Sequence, residues 1–111
     1  MTVEYGSVFA IPDQYPVTQG HHLVITKRHI HDYFAMSFNE KRDAEALLSL
    51  LRKQILEDDP TVKGFNVGMN VGEVAGQTVM HAHIHLIPRR EGDVEHPQGG
   101  VRGCVPGKMG Y

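Results

Sequence analysis

"GQTVMHAHIHLIPRR", residues 76–90, sets His81, His83 and His85 at two-residue intervals, with Ala82, Ile84 and Leu86 between and after them. A period of two belongs to an extended strand, whose successive side chains leave by opposite faces. "VMHAHIHLIP" is therefore expected to be a strand with one imidazole face and one apolar face.

The apolar face needs a partner, and "SFNEKRDAEALLSLLRKQILEDDP", residues 37–60, supplies it. Ala44, Leu47, Leu48, Leu51 and Ile55 recur at helical spacing, and Ser37 with Glu40 matches a capping box. Asp58, Asp59 and Pro60 end the helix. Acidic side chains there oppose the helix dipole, so they are expected to be solvated. "YGSVFAI" (residues 5–11) reads as one strand that stops at "PDQYP". "HHLVIT" (residues 21–26) reads as a short strand, apolar on both faces and hence central. "HIHDYFAMS" is expected to be a loop with one helical turn. "FNVGMNV" (residues 65–71) alternates Phe65, Val67 and Met69 with Asn66, Gly68 and Asn70, a strand with one apolar face and one small, polar face. Residues 89–111 are rich in Gly and Pro and are expected to form an extended tail held by contacts. Strands, one long helix, then strands again predict an α+β class with an antiparallel sheet, residues 1–111 forming a single domain.

Composition narrows the partners. Eleven Lys and Arg against thirteen Asp and Glu give a net charge of −2, so there is no charge field for nucleic acid or an anionic membrane, and a small molecule is expected instead. One cysteine, Cys104, excludes an internal disulfide and fits a reducing compartment. No apolar run approaches the roughly 20 residues of a membrane span. With no signal-like N-terminus, cytoplasmic residence is expected.

Three chemistries begin from the histidine row. It can be a polar sheet face on which histidine recurs by chance. It can hold zinc, but three alternating residues span about 13 Å, too far for one tetrahedral ion without a bend. The neighbours are also Asn70, Gln77 and Thr78 rather than carboxylates or thiols. Or it can perform nucleophilic catalysis on phosphorus. Imidazole is largely neutral near pH 7, its phosphoramidate adduct is reactive, and neighbouring imidazoles can donate to the phosphate oxygens. The third chemistry requires no metal and no cofactor, and a glycine just before the row lets backbone approach a phosphate closely.

"HAHIHLIP" resembles the signature of the histidine triad superfamily of nucleotide hydrolases and transferases. "GQTV" before it and "PRR" after it are most similar to the fragile-histidine-triad and diadenosine-polyphosphate-hydrolase branch. "GHHLVITKRH" resembles a second family element upstream, with Thr26 where proline is usual. The resemblance implies an antiparallel sheet of about five strands with one long helix packed on one face. It implies a purine nucleotide or dinucleotide substrate, and a homodimer whose sheets meet edge to edge. His83 resembles the nucleophile that attacks the α-phosphorus, with its other ring nitrogen fixed by a backbone carbonyl. His85 resembles a donor to phosphate oxygens, His21 a second donor from the preceding strand, and His81 a buried orienting residue. Asp13 occupies the ribose-holding position and Phe9 and Ile11 the wall of the base pocket. Asn70, Gln77 and Thr78 occupy polar phosphate-binding positions. His22, His29, His31 and His96 are expected to be structural or surface histidines.

Overall fold

A computed structural model describes residues 2–111. Five strands form one sheet: β1 (Val3–Tyr5), β2 (Val8–Pro12), β3 (His22–Thr26), β4 (Val62–Gly68) and β5 (His83–Arg90). A 21-residue helix, α1 (Phe38–Asp58), lies between β3 and β4 in the chain. The strand order is β1-β2-β3-β5-β4 and every pairing is antiparallel. The expected α+β class is therefore the observed one, with β3 at the centre of the sheet.

The helix starts where its cap directs. Ser37 Oγ accepts from the Glu40 amide at 3.1 Å, and Glu40 Oε1 accepts from the Ser37 amide at 2.8 Å. Glu40 is buried, and Arg28 offsets its charge at 2.8 Å. Ala44, Leu47 and Leu51 pack with Val8, Ala10, Val24, Ala82, Ile84 and Leu86 into one core. The far end differs from expectation. Asp59 is not simply solvated: it pairs with Arg90 at 2.7 Å and accepts from Thr61, and these bonds hold its carboxyl down at about 2.

The stretch 5–11 is a hairpin rather than one strand. Gly6, at φ 54°, turns the chain between β1 and β2. Asp43 on the helix accepts from both the amide and the hydroxyl of Ser7, at 2.9 and 2.7 Å. A pattern of branched and aromatic residues does not reveal this turn, because its anchor comes from a distant helix. A methyl at Gly6 would run into the Asp43 carboxylate and would force a left-handed conformation. Gly6→Ala is expected to cost about 2 kcal/mol, read as a lowered urea midpoint with an unchanged slope.

Two further boundaries move. β4 runs from Val62 to Gly68 rather than 65–71, with an irregular register between Val62 and Gly64. β5 begins at His83, so His81 precedes the strand. The backbone there is held instead by Ala82 N–H to the Ile30 carbonyl at 2.8 Å and by the His81 ring to the Thr26 carbonyl at 2.6 Å. The tail is not fully extended either: Gly100–Cys104 forms a 3-10 turn that packs near β4.

Candidate active site

Register decides which side chains share a face. Antiparallel partners point the same way, and β3 pairs Ile25 with His83 and Leu23 with His85. β2 in turn pairs Phe9 with Ile25 and Ile11 with Leu23, and β4 pairs Gly68 with His85 and Asn66 with Ile87. The helix covers the opposite face, so these residues form an open surface with the two imidazoles at its middle. Phe9 and Ile11 thus lie on the same open face as His83 and His85. Leu23 and Ile25 join them, although a continuous apolar run does not say which face each residue takes.

The two strand histidines carry opposite tautomers. The His83 ring Nδ1 donates to the His81 carbonyl at 2.7 Å, which leaves Nε2 with a lone pair. His85 is set by a chain of three groups. The Val17 amide donates to His21 Nδ1 at 3.1 Å, so the neutral His21 ring carries its proton on Nε2. That proton is directed to His85 Nδ1 at 2.9 Å, so the proton of neutral His85 sits on Nε2. One imidazole therefore offers an electron pair and its neighbour a hydrogen. The rings of His83 and His85 lie edge to face with centroids 5.3 Å apart.

His21 is buried, with 3% of its surface exposed. Its ring lies next to His85 and lines the same cavity, with Nε2 directed at His85 Nδ1. Asp13 sits in a turn: its Oδ1 accepts from the Tyr15 amide at 2.7 Å, while Oδ2 lies 3.4 Å from His21 and 4.0 Å from His85. Burial, the largest effect, lowers the pKa of both His21 and His85, and the nearby imidazoles push the same way against the Asp13 carboxylate. Both rings are therefore neutral at pH 7, and the approach to Asp13 is not an ion pair.

The sign of the stability effect follows. A histidine whose folded pKa lies below its unfolded value, near 6.5, favours the native state above that value. The advantage is lost as pH falls through the lowered folded values. Urea midpoints taken from about pH 7.5 to about pH 5 are expected to fall steadily, and His21→Leu to flatten that decline.

The remaining candidates divide. Asn70 is exposed just past β4, and its side chain lies against Gly76, whose φ of 97° only glycine adopts readily. Thr78 is exposed on the same loop. Gln77 departs from expectation: it is 3% exposed, its Nε2 donates to the carbonyls of His31 and Val79, and its Oε1 accepts from the Gly72 amide. It shapes the loop that presents Asn70 and Thr78 instead of meeting a phosphate. His29 is more than a surface residue. It bonds to the Met80 carbonyl at 3.1 Å and its ring rests 4.9 Å from that of His81. It thereby braces the segment whose carbonyl orients His83. His22 faces the helix side and meets the Gly20 carbonyl, and His96 pairs with Glu95 at the surface.

Asp13, His21 and His85 also offer three ligand atoms within 4.8 Å of one another. Their hydrogen bonding does not fit a metal. A metal-bound imidazole usually donates from its second nitrogen, whereas His21 Nδ1 faces a donor, the Val17 amide. The Nε2 that would bind the ion is the one that carries the proton.

An open antiparallel sheet with opposed imidazole tautomers beside a carboxylate defines the class, a histidine-row protein suited to an anionic ligand. The chain belongs to the HIT domain family, whose model matches residues 1–92. It is 42% identical over 91 residues to an uncharacterised HIT-like protein of Mycoplasma genitalium, covering 79% of this chain and 62% of that one. It is 36% identical over 80 residues to the asymmetrical bis(5'-nucleosyl)-tetraphosphatase of Schizosaccharomyces pombe, covering 70% and 42%. Among solved structures, a HIT family protein of Bacillus anthracis superposes with a TM-score of 0.75 at 40% identity, covering 82% of this chain and 64% of that one. A zinc-bound histidine triad family protein of Mycobacterium smegmatis also superposes, with a TM-score of 0.75 at 33% identity and coverage of 83% and 67%. The chain spans about three-fifths of the length of the first curated relatives it matches, 62% and 60%.

Proposed function

We propose that this protein is a nucleotide hydrolase or nucleotidyl transferase, acting at the α-phosphate of a dinucleoside polyphosphate or a nucleotide phosphoramidate. The observation that carries it is the bond from His83 Nδ1 to the His81 carbonyl, which leaves Nε2 unprotonated and outward. Nε2 attacks the α-phosphorus and forms a P–N bond, and the bond to the leaving group breaks with its electron pair. A phosphate leaving group departs as an anion, while an amine takes a proton from water. His85 Nε2–H donates to a non-bridging oxygen as charge gathers there. Water then attacks phosphorus, the P–N bond breaks back to Nε2, and a nucleoside monophosphate and a proton are released. Asp13 accepts from the ribose hydroxyls through Oδ2, and Phe9, Ile11 and Leu23 carry a purine. Membership of the family and likeness to a tetraphosphatase support this chemistry. The working form is a homodimer joined along β4, a seven-residue edge strand with Val67 half exposed.

Mass spectrometry after rapid acid-free quenching tests the covalent step. A nucleotidyl mass is expected on the peptide that contains His83. Tight nucleotide binding with neither adduct nor turnover would make the protein a binding module and refute the proposal.

A further inference from the structure

The tautomer of His85 depends on a peptide amide that lies outside the histidine row. His21 Nε2 and His85 Nδ1 stand 2.9 Å apart with one proton between them. Two neutral arrangements satisfy that line. In one, His21 donates and the outward nitrogen of His85 carries a hydrogen. In the other, His85 donates and its outward nitrogen carries a lone pair, which repels a phosphate oxygen. The Val17 amide chooses between them. It donates to His21 Nδ1 at 3.1 Å, and the second arrangement would set another N–H against it.

What holds that amide therefore acts on the site. Val17 is exposed, in the loop of residues 13–20 between β2 and β3. Three bonds tie down the end of the loop next to it. Thr18 Oγ1 donates to the Pro88 carbonyl at 2.7 Å, and the His21 amide donates to the Thr18 carbonyl at 3.2 Å. Arg90 Nη2 donates to the Gln19 carbonyl at 3.0 Å. The loop also sits close on the sheet: a Cβ at Gly20, whose φ is 94°, would press on Pro88 at 3.1 Å.

Arg90 reaches furthest of these anchors. Its Nη2 also donates to Asp59 Oδ2 at 2.7 Å, and its Nε donates to Thr61 Oγ1 at 3.2 Å. Asp59 is the C-cap residue of α1, and its other oxygen accepts from the Thr61 amide and hydroxyl. One planar guanidinium thus joins the end of the helix, the last residue of β5 and the loop. Among the described residues Arg90 bonds to neither imidazole, and it lies outside the buried core.

We infer that Arg90, clamped by Asp59, is a positioning residue: it holds the loop that keeps the Val17 amide on His21 Nδ1, and so fixes the outward hydrogen of His85 Nε2. Its effect on rate rests on the proposed reaction, whereas its effect on the proton does not.

The ring ¹⁵N shifts of His21 and His85 read the proton directly, because they average the tautomers by population. At about pH 8, where imidazole is neutral, about nine-tenths or more of each ring is expected to carry its hydrogen on Nε2 in the unaltered chain. Arg90→Gln is too short to bridge Asp59 and Gln19. It is expected to raise the Nδ1–H share of both rings together to about a third, and to lower kcat about tenfold on a fluorogenic purine phosphoramidate. Asp59→Asn keeps the arginine but loosens its clamp, and is expected to shift both rings the same way by less. The double variant is expected to match Arg90→Gln alone, since the two residues act through one link. Unaltered tautomers in Arg90→Gln overturn the inference whatever the rate, and leave the pair a stability element read in the urea midpoint. A shift that Asp59→Asn does not share, or to which the two variants contribute additively, overturns it as well. Shifted tautomers with an unchanged kcat uphold the clamp and strike instead the proposed use of His85 as a donor to phosphate.

Discussion

His83→Ala is expected to lower kcat by about a thousandfold or more while nucleotide affinity changes only a few-fold. The alanine removes the atom that forms the P–N bond, so the reaction loses its two-step route instead of one contact among several. The ring is half-buried on an open face, and among the described residues it makes one hydrogen bond, from Nδ1 to the adjacent carbonyl of His81. Deleting it therefore leaves the sheet and the nucleoside platform in place. Steady-state kinetics on a fluorogenic purine phosphoramidate, with binding measured separately by calorimetry, gives the split. A kcat within tenfold of the unaltered chain would remove His83 from the chemistry.

His21→Leu is expected to lower kcat about a hundredfold, through the loss of its bond to His85. Leucine cannot donate to His85 Nδ1, so the outward proton on His85 Nε2 is no longer enforced. A titration of the His85 ring by NMR separates this from mere structural damage. The His21 imidazole is one of the groups that lower the pKa of His85, and Asp13 opposes it. Its loss is expected to move the His85 titration to higher pH. His21→Gln, which retains an N–H donor at comparable reach, is expected to recover part of the rate. Loss of rate with an unmoved His85 titration and no recovery by glutamine would reduce His21 to a packing residue.

Much of the site is legible as a string of residues because it follows strand periodicity. The two-residue spacing of His83 and His85 places their imidazoles on one face, with Ala82, Ile84 and Leu86 buried as that spacing demands, whereas His81 precedes the strand and turns its ring to the Thr26 carbonyl. The separate "GHHLVITKRH" element is just as visible, yet its parts take unequal roles. His21 sits under the row, His29 braces the His81 segment, and His22 turns to the helix side. Gln77 shows the limit most clearly. A polar residue on a loop before a phosphate-like site reads as a ligand group, but its amide is taken up by backbone from His31, Val79 and Gly72. Such use is invisible until the loop closes, because a buried amide must find whichever partners folding brings near.

By itself the sequence determined the long capped helix, the alternating strands and the identity of the histidine row, since each depends on neighbours three, four or two residues away. Only the tertiary structure decided the tautomers of His83 and His85, the burial of His21, the hairpin at Gly6 and the 3-10 turn at Gly100–Cys104. These rest on contacts between segments far apart in the chain, such as Val17 with His21 and His21 with His85, or Asp43 with Ser7. A proton on an imidazole goes to the nitrogen that faces an acceptor, and where that acceptor lies is a property of the folded chain.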